Sequence, residues 1–381
     1  MTGPDRRFLI VAGEASGDHH GAALMAAMKQ LDPLSRFAGI GGTHMQKLGL
    51  ECLYNADDMA LVGFSEVLMR LPFLLKVMRH TSDFARNWQP ERAILIDYPG
   101  FNLSLARRLH QAEIPVAYYI SPQLWAWREG RIKSIREYVD QLLVIFPFEV
   151  DWYRERGVTA QFTGHPLLEE AQPEISRQEY LNGLGLDDRQ PVLTLFPGSR
   201  RQELQRHLIL FADVARLIKE DIPRLQVILG LADGLTSDLV PERLHRETVI
   251  ATSHPRLSLR YADVAIVASG TATLEGAVWG VPHVVVYRVS ALSWWLGRRL
   301  VNLSHAGMVN ILSGEETVPE FLQERSRPDL IAQAAMSYFR DDKCRQDLLV
   351  KMAQVRQSLE SPAAGEQRAS LVAARAILGV K

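Results

Sequence analysis

Two cysteines in 381 residues, Cys52 and Cys344, lie far apart, and neither has a neighbour at metal-ligand or redox spacing. A disulfide scaffold is excluded, and thiols this sparse fit a reducing compartment. No run reaches the ~18 uncharged apolar residues that a membrane-spanning helix needs. Neither sign of charge dominates: 43 Lys and Arg stand against 44 Asp and Glu, a formal net charge of −1. That balance argues against a nucleic-acid binder and leaves room only for local basic patches. Short-period repeats, low-complexity tracts, a Walker A lysine, HExxH and a nucleophile elbow are all missing. The eleven histidines form no ligand set, and the adjacent His19 and His20 cannot share a helical face. What is present is an ordinary globular composition, 47% apolar and 23% charged, long enough for two or three domains at roughly 150 residues each.

The N-terminus sets Arg6 and Arg7 before Phe8–Ala12, which imitates a signal peptide. Glu14 and Asp18 follow at once, so the run reads as a first buried strand and the chain is expected to be cytoplasmic. Further strands are expected at 36–40, 93–96, 116–120, 141–146 and 161–163, with helices such as 19–31 and 103–111 between them. Fully apolar strands alternating with helices predict a parallel sheet covered on both faces. The polar stretch Glu169–Arg189 reads as a junction. A second series follows at 191–196, 225–229, 248–251, 264–267 and 283–287, with helices at 201–219 and 273–279. From Asp329 to Gly379 the pattern is helical almost throughout. The expected fold is α/β, two facing Rossmann-like domains with a cleft between them. Ligands of such sheets sit beyond the C-terminal strand ends, so the strand-end loops are the places to search.

In the first half, Gly13-Glu14-Ala15-Ser16-Gly17-Asp18 turns tightly into a helix that Ser16 or Asp18 could cap. It reads as a substrate loop or as an ordinary well-capped turn. Asp97, at the mouth of Ile94–Ile96, stands where a general base would stand; it could equally initiate the turn through Pro99-Gly100-Phe101-Asn102. Ser121-Pro122-Gln123-Leu124-Trp125-Ala126-Trp127-Arg128 sets two tryptophans beside an Arg, suited to a sugar face, an acyl chain or a phosphate, or simply to a core. His165, near the junction, would line the cleft.

In the second half, Pro197-Gly198-Ser199-Arg200 and Ser269-Gly270-Thr271-Ala272-Thr273-Leu274-Glu275 both end a strand and open a helix. Amide groups and the helix dipole there favour an anion, and Arg200 adds a guanidinium. A diphosphate would lie on such a tip, with Glu275 placed for ribose hydroxyls; the alternative is a capped helix with an N-terminal acid.

Residues 60–80 combine a stripe of Leu61, Phe64, Leu68, Leu71, Leu75 and Met78, with Phe73 beside it, and the bases Arg70, Lys76, Arg79 and His80. This is the pattern of a helix resting in an anionic membrane surface, kinked at Pro72, or of a core helix. Ser293–Leu300 is a second aromatic and basic cluster, ambiguous between interface and lipid.

Taken together, the loops at 11–18, 96–102, 121–128, 146–149, 197–200 and 269–275 resemble those of the lipid-A-disaccharide synthases. Asn310 and Pro319–Gln323 are similar to later motifs of that family, and the likeness runs nearly end to end, in order. It implies a GT-B fold, with a first domain at 1–168, completed by C-terminal helices from about 345 to 381, and a donor domain at 169–344. It also implies an inverting hexosyltransferase of lipid A biosynthesis that needs no metal. Such an enzyme moves 2,3-diacylglucosamine from UDP to the 6-hydroxyl of 2,3-diacylglucosamine 1-phosphate. The implied sites are Asp97 as base; Glu14, Ser16, Gly17, Asp18, Asn102, Ser121, Trp125, Trp127 and Arg128 toward the acceptor; and Gly198, Ser199, Arg200, Ser269–Thr273, Glu275, Tyr287, Asn310, Glu320 and Gln323 toward UDP. Peripheral attachment to the anionic inner face of the inner membrane and a homodimer exchanging C-terminal segments are implied as well. Another UDP-sugar enzyme of this fold, a UDP-N-acetylglucosamine 2-epimerase or the peptidoglycan glycosyltransferase, is the competing reading.

Overall fold

The computed structural model describes residues 5–59, 64–169, 174–232, 235–252, 254–290, 294–295, 304–362 and 368–380, without the side chains of 64–69, 243, 246 and 247. The chain divides into two units, Met1–Glu170 with Leu359–Lys381, and Ala171–Ser358.

The first unit is built on seven strands: β1 (Arg7–Ala12), β2 (Arg36–Gly41), β3 (Leu50–Asn55), β4 (Arg92–Ile96), β5 (Val116–Tyr119), β6 (Gln141–Val144) and β7 (Ala160–Phe162). They pair in parallel in the order β3-β2-β1-β4-β5-β6-β7. Side chains alternate through the sheet because strand periodicity is two. Leu9, Val11, Leu95, Tyr118 and Val144 face one way, and Phe8, Ile10, Ile96, Tyr119 and Leu143 the other. Helices α1 (Ala15–Leu31), α2 (Thr43–Lys47), α3 (Phe64–Trp88), α4 (Pro99–His110) and α5 (Pro147–Arg154) connect these strands. Helices α3 and α4 cover the first face through Val77, Ala85, Leu105 and Leu109. The second face is covered by α1 and by the C-terminal helix Ala369–Leu378, whose Leu371, Ala374 and Ile377 pack on β1 and α1. Each large apolar side chain so buried contributes roughly 1.5–3 kcal/mol. The returning helix is anchored by Glu169, which accepts from Ser370 N and Oγ, and by Gln141 Nε2 donating to Ala376 O at 3.0 Å.

The second unit holds six parallel strands, β8 (Val192–Phe196), β9 (Gln226–Gly230), β10 (Val249–Ala251), β11 (Val264–Ala268), β12 (His283–Tyr287) and β13 (Glu320–Leu322), ordered β10-β9-β8-β11-β12-β13. Helices α6 (Arg201–Asp221) and α7 (Thr271–Val278) follow β8 and β11.

Strand order reverses between β1 and β4 in one sheet and between β8 and β11 in the other, and such switch points open a crevice at the carboxyl strand ends. Both coincide with the loops singled out from sequence. Several expectations change. β3 and β13 were not expected: β3 is a half-exposed edge and β13 has three residues. The stretch 169–189 is not only a junction, because helix Arg177–Gly183 buries Tyr180 and Leu181 against Val192 and Leu257. Residues 345–358 do not return to the first unit; helix Asp342–Ser358 packs on α7, and the return begins at Leu359.

Candidate functional site

In the first unit β1 and β4 pair with Ala12 beside Ile96, so Gly13 and Asp97 leave the sheet side by side. Any side chain at Gly13 would collide with the Tyr98 ring, which ties that glycine to the close approach of the two loops. Asp97 and Tyr98 both adopt left-handed backbone, φ +42° and +48°, and Ile120 at the neighbouring strand end does too, at +59°. Non-glycine residues are held there only when their surroundings impose it, at about 1–3 kcal/mol each. The restraints are visible: Asn102 Nδ2 donates to Ile96 O at 3.0 Å and Asp97 O at 2.8 Å, and Tyr118 Oη donates to Asp97 O at 2.6 Å. The turn thereby fixes the Asp97 carboxyl. Burial, and secondarily the charge of Glu14, push its pKa up to about 6, against the pull of the Tyr98 amide.

One strand further, the buried Glu149 joins two loops. It accepts from Ser121 Oγ and Trp125 Nε1, both at 3.1 Å, and from Phe146 N at 3.1 Å, which completes the N-terminal cap of α5. Burial raises its pKa to about 7 despite those donors. Trp125 stands edge-on to Phe146 and Phe148, with centroids 6.4 and 5.0 Å away. Trp127 and Arg128 are exposed, the guanidinium 4.4 Å from the Trp127 ring centroid, so this tryptophan is not a core residue.

Other candidates have structural duties. Asp18 does not cap α1, whose N-cap is Glu14 with no side-chain capping bond. It is buried and accepts from Gly42 N, His44 N and Met45 N at 2.7, 2.9 and 3.1 Å, capping α2 instead. Burial raises its pKa, but those bonds outweigh it and hold the carboxyl below its ordinary range. Asn102 is fully buried; its Nδ2 is spent on the Asp97 turn, while its Oδ1 has no hydrogen-bond partner among the described residues. Gly17 lets α1 sit close to Ala12, while Glu14 and Ser16 are exposed at the helix start. His165 is buried against Phe146, accepts from Leu167 N at 3.1 Å, and burial drives its pKa down to about 3, so it is a neutral packing residue.

The second unit departs further from expectation. The amides of Ser199 and Arg200 are not open: both donate to Glu203 Oε2, at 2.9 and 3.2 Å. What the loop offers outward is the exposed Arg200 side chain, whose guanidinium lies 3.6 Å from Glu203 Oε1. The tip of α7 is different. Gly270, at φ +146°, faces open space, and the amides of Gly270, Thr271 and Ala272 begin the helix with no preceding turn to bond to. Ser269 Oγ donates to Ala306 O at 2.8 Å and Thr273 Oγ1 to Gly270 O at 2.8 Å, so these hydroxyls brace the loop. Glu275 is buried and ion-paired with Arg256, whose Nε donates at 2.8 Å. Glu320 accepts from Ala306 N, Gly307 N and Asn310 Nδ2, each at 2.8 Å, and Asn310 also accepts from Val318 N. Gln323 bonds both sides of Val289, at 3.1 and 3.2 Å. Tyr287 is half-buried at the end of β12. Asn310, Glu320 and Gln323 therefore shape backbone rather than offering free polar groups.

On α3, Leu71 and Leu75 are 46% and 48% exposed, with Pro72, Lys76, Arg79, His80 and Asp83 lining a groove beside Leu75. Met78 and Phe73, by contrast, face inward: Met78 is buried, and Phe73 packs edge-on to Tyr54. The expected stripe thus splits between two faces. Leu61 and the side chains of Phe64 and Leu68 lie outside the described residues, as does most of the 293–300 cluster. Among the described residues no helix is long and apolar enough to cross a membrane.

Tyr118 and His207 were not singled out from sequence, and Glu149 entered only as part of the 146–149 motif, with no role of its own. Glu149 had a signal, its third helical position after Phe146-Pro147; the other two are non-local and had none.

The lipid-A-disaccharide synthetase family model matches residues 8–374. The lipid-A-disaccharide synthase of Geobacter metallireducens is 40% identical over 374 residues, 97% of either chain. That of Coxiella burnetii is 38% identical over 368 residues, 97% of this chain and 98% of its own. Among solved structures, the UDP-GlcNAc 2-epimerase of Neisseria meningitidis bound to UDP-GlcNAc aligns with TM-score 0.64 at 12% identity, covering 98% of this chain and 100% of that one. MurG of Acinetobacter baumannii aligns with TM-score 0.60 at 12% identity and the same coverage. At such identities these structures speak for the fold alone, the GT-B arrangement of glycosyltransferases and epimerases. Sequence relationship over almost the whole length is a stronger statement: the chain belongs to the lipid-A-disaccharide synthetase family.

Proposed function

We propose that the chain transfers 2,3-diacylglucosamine from UDP to the 6-hydroxyl of 2,3-diacylglucosamine 1-phosphate, with inversion, giving the β-1,6-linked disaccharide 1-phosphate and UDP. The observation that carries the mechanism is Asp97: a carboxylate on a strained, doubly braced turn at a sheet switch point, with its pKa raised to about 6, toward the range where a base accepts a proton effectively. The acceptor oxygen forms its bond to the anomeric carbon as the bond to UDP breaks, and Asp97 takes the hydroxyl proton. Charge accumulating on the departing diphosphate is met by the α7-tip amides and the Arg200 guanidinium, a helix N-terminus and an exposed cation that both suit an anionic leaving group. No divalent ion is required in this scheme. Purified protein with both lipid substrates, detergent and EDTA should form disaccharide and UDP at the rate seen without EDTA; loss of product that only added metal restores would sink the metal-free scheme. Unacylated UDP-glucosamine should be a poor donor, and equal use of it would favour a different UDP-sugar enzyme.

Both substrates are lipids, and we assign their delivery to α3. The outward Leu71 and Leu75, with Lys76 and Arg79 alongside, suit shallow insertion at an anionic surface. Changing both leucines to Ser should release the protein from anionic vesicles in a flotation assay while leaving its thermal midpoint intact; undiminished flotation would exclude this face.

A further inference from the structure

We infer that His207 is a positioning residue that fixes the donor-binding loops of the second unit relative to one another. This rests on the proposed transfer and names a part of its donor site.

His207 lies on α6 and is fully buried. Its Nδ1 is 2.7 Å from Pro197 O and its Nε2 3.0 Å from Arg288 N. A carbonyl can only accept and an amide can only donate, so the ring is neutral, protonated at Nδ1 and accepting at Nε2. Burial, the largest influence, lowers its pKa and keeps it in that form. The ring stacks on Phe211, with centroids 5.7 Å apart and planes at 15°.

The two partners are far apart in sequence and belong to different loops. Pro197 follows Phe196, the last residue of β8, and immediately precedes Gly198-Ser199-Arg200, while Arg288 follows Tyr287 at the end of β12. In the sheet β11 lies between β8 and β12, and β11 carries the Ser269–Thr273 loop. His207 therefore ties the loops on either side of the diphosphate tip. The bracing continues beyond it: the Arg288 guanidinium donates to Ser326 O, and the Gln323 amide bonds both sides of Val289. Arg200 is otherwise carried on an exposed turn, and the fixed carbonyl of Pro197 sets where that turn starts.

The experiment compares His207→Phe, which keeps the stacking ring and loses both bonds, with His207→Asn and His207→Gln. Asn retains an N–H near the Nδ1 position, and Gln an oxygen near the Nε2 position. Initial rates are measured against UDP-diacylglucosamine and against the acceptor separately, with thermal midpoints and calorimetric UDP binding. His207→Phe should raise the donor KM by about tenfold and leave the acceptor KM unchanged, and Asn and Gln should each recover part of the loss. A donor KM equal to wild type in a folded Phe variant overturns the inference. So does an equal rise in both KM values that follows the thermal midpoint. Should the Phe variant fail to fold, wild-type donor KM in both Asn and Gln variants overturns it equally. If the wild-type chain forms no disaccharide, the transfer reading fails separately, and UDP affinity alone then decides whether His207 orders these loops.

Discussion

Replacing Asp97 with Asn is expected to lower disaccharide formation by about 10²–10⁴-fold while UDP still binds and the fold persists. The substitution keeps shape and the backbone bonds from Asn102 and Tyr118, which end on the Asp97 carbonyl rather than its carboxyl. Only the proton acceptor is lost. The wild-type pH profile carries a second signature. A base with a pKa of about 6 is protonated below that value, so kcat/KM should rise with pH through about 6 and level off above it. Glu14→Gln removes the like charge that helps raise this pKa, and the acid limb should move to lower pH. An Asp97→Asn enzyme with a near-normal rate would remove the base from the mechanism. An acid limb that stays put in Glu14→Gln would remove the electrostatic coupling.

The second large effect concerns stability. Glu149 keeps its proton up to about pH 7 in the folded protein, whereas a glutamate in an unfolded chain loses it near roughly 4.3. Across that window the folded state binds more protons, so this group makes stability fall as pH rises, by on the order of 4 kcal/mol in all. Glu149→Gln should abolish that slope. The variant would be weaker than wild type at pH 5, where an amide N–H faces the Phe146 N–H, and the gap should narrow by pH 8. Glu149→Leu leaves Ser121, Trp125 and Phe146 without their acceptor, at roughly 1–3 kcal/mol each. Urea midpoints at the two pH values test this; parallel curves for wild type and Gln would show that the carboxyl does not titrate there.

Much of the architecture was legible because fully apolar strands leave little ambiguity. The runs 8–12, 93–96 and 264–267 each became strands buried on both faces. β3 escaped because an edge strand with residues such as Glu51 and Asn55 carries no such pattern. The loops were legible as loops, since strand ends with Gly, Pro and Asp announce themselves. The work of individual side chains was not. Glu203 sits in the sequence as one more helix-opening acid, yet it fills the amide nest expected to hold an anion. Asp18 reads as a cap for its own helix but caps the next, across a distance that only the fold creates. The α3 stripe failed for a related reason: spacing of three and four gives a face, but which face meets the sheet is decided by Val77 and Met78 against β-strand neighbours.

The helix Ala369–Leu378 supplies core residues to a unit whose remaining parts end at Glu170. A ribosome that has delivered the whole first sheet has therefore not yet delivered one wall of it. Until residues 369–378 have been made, Phe8, Ile94 and Leu143 lack that cover, and the second unit can mature first although it is made later than the first sheet. The order of synthesis therefore need not set the order of folding in this chain. A growing polypeptide stalled after residue 358 would leave a sticky face for chaperones to shield.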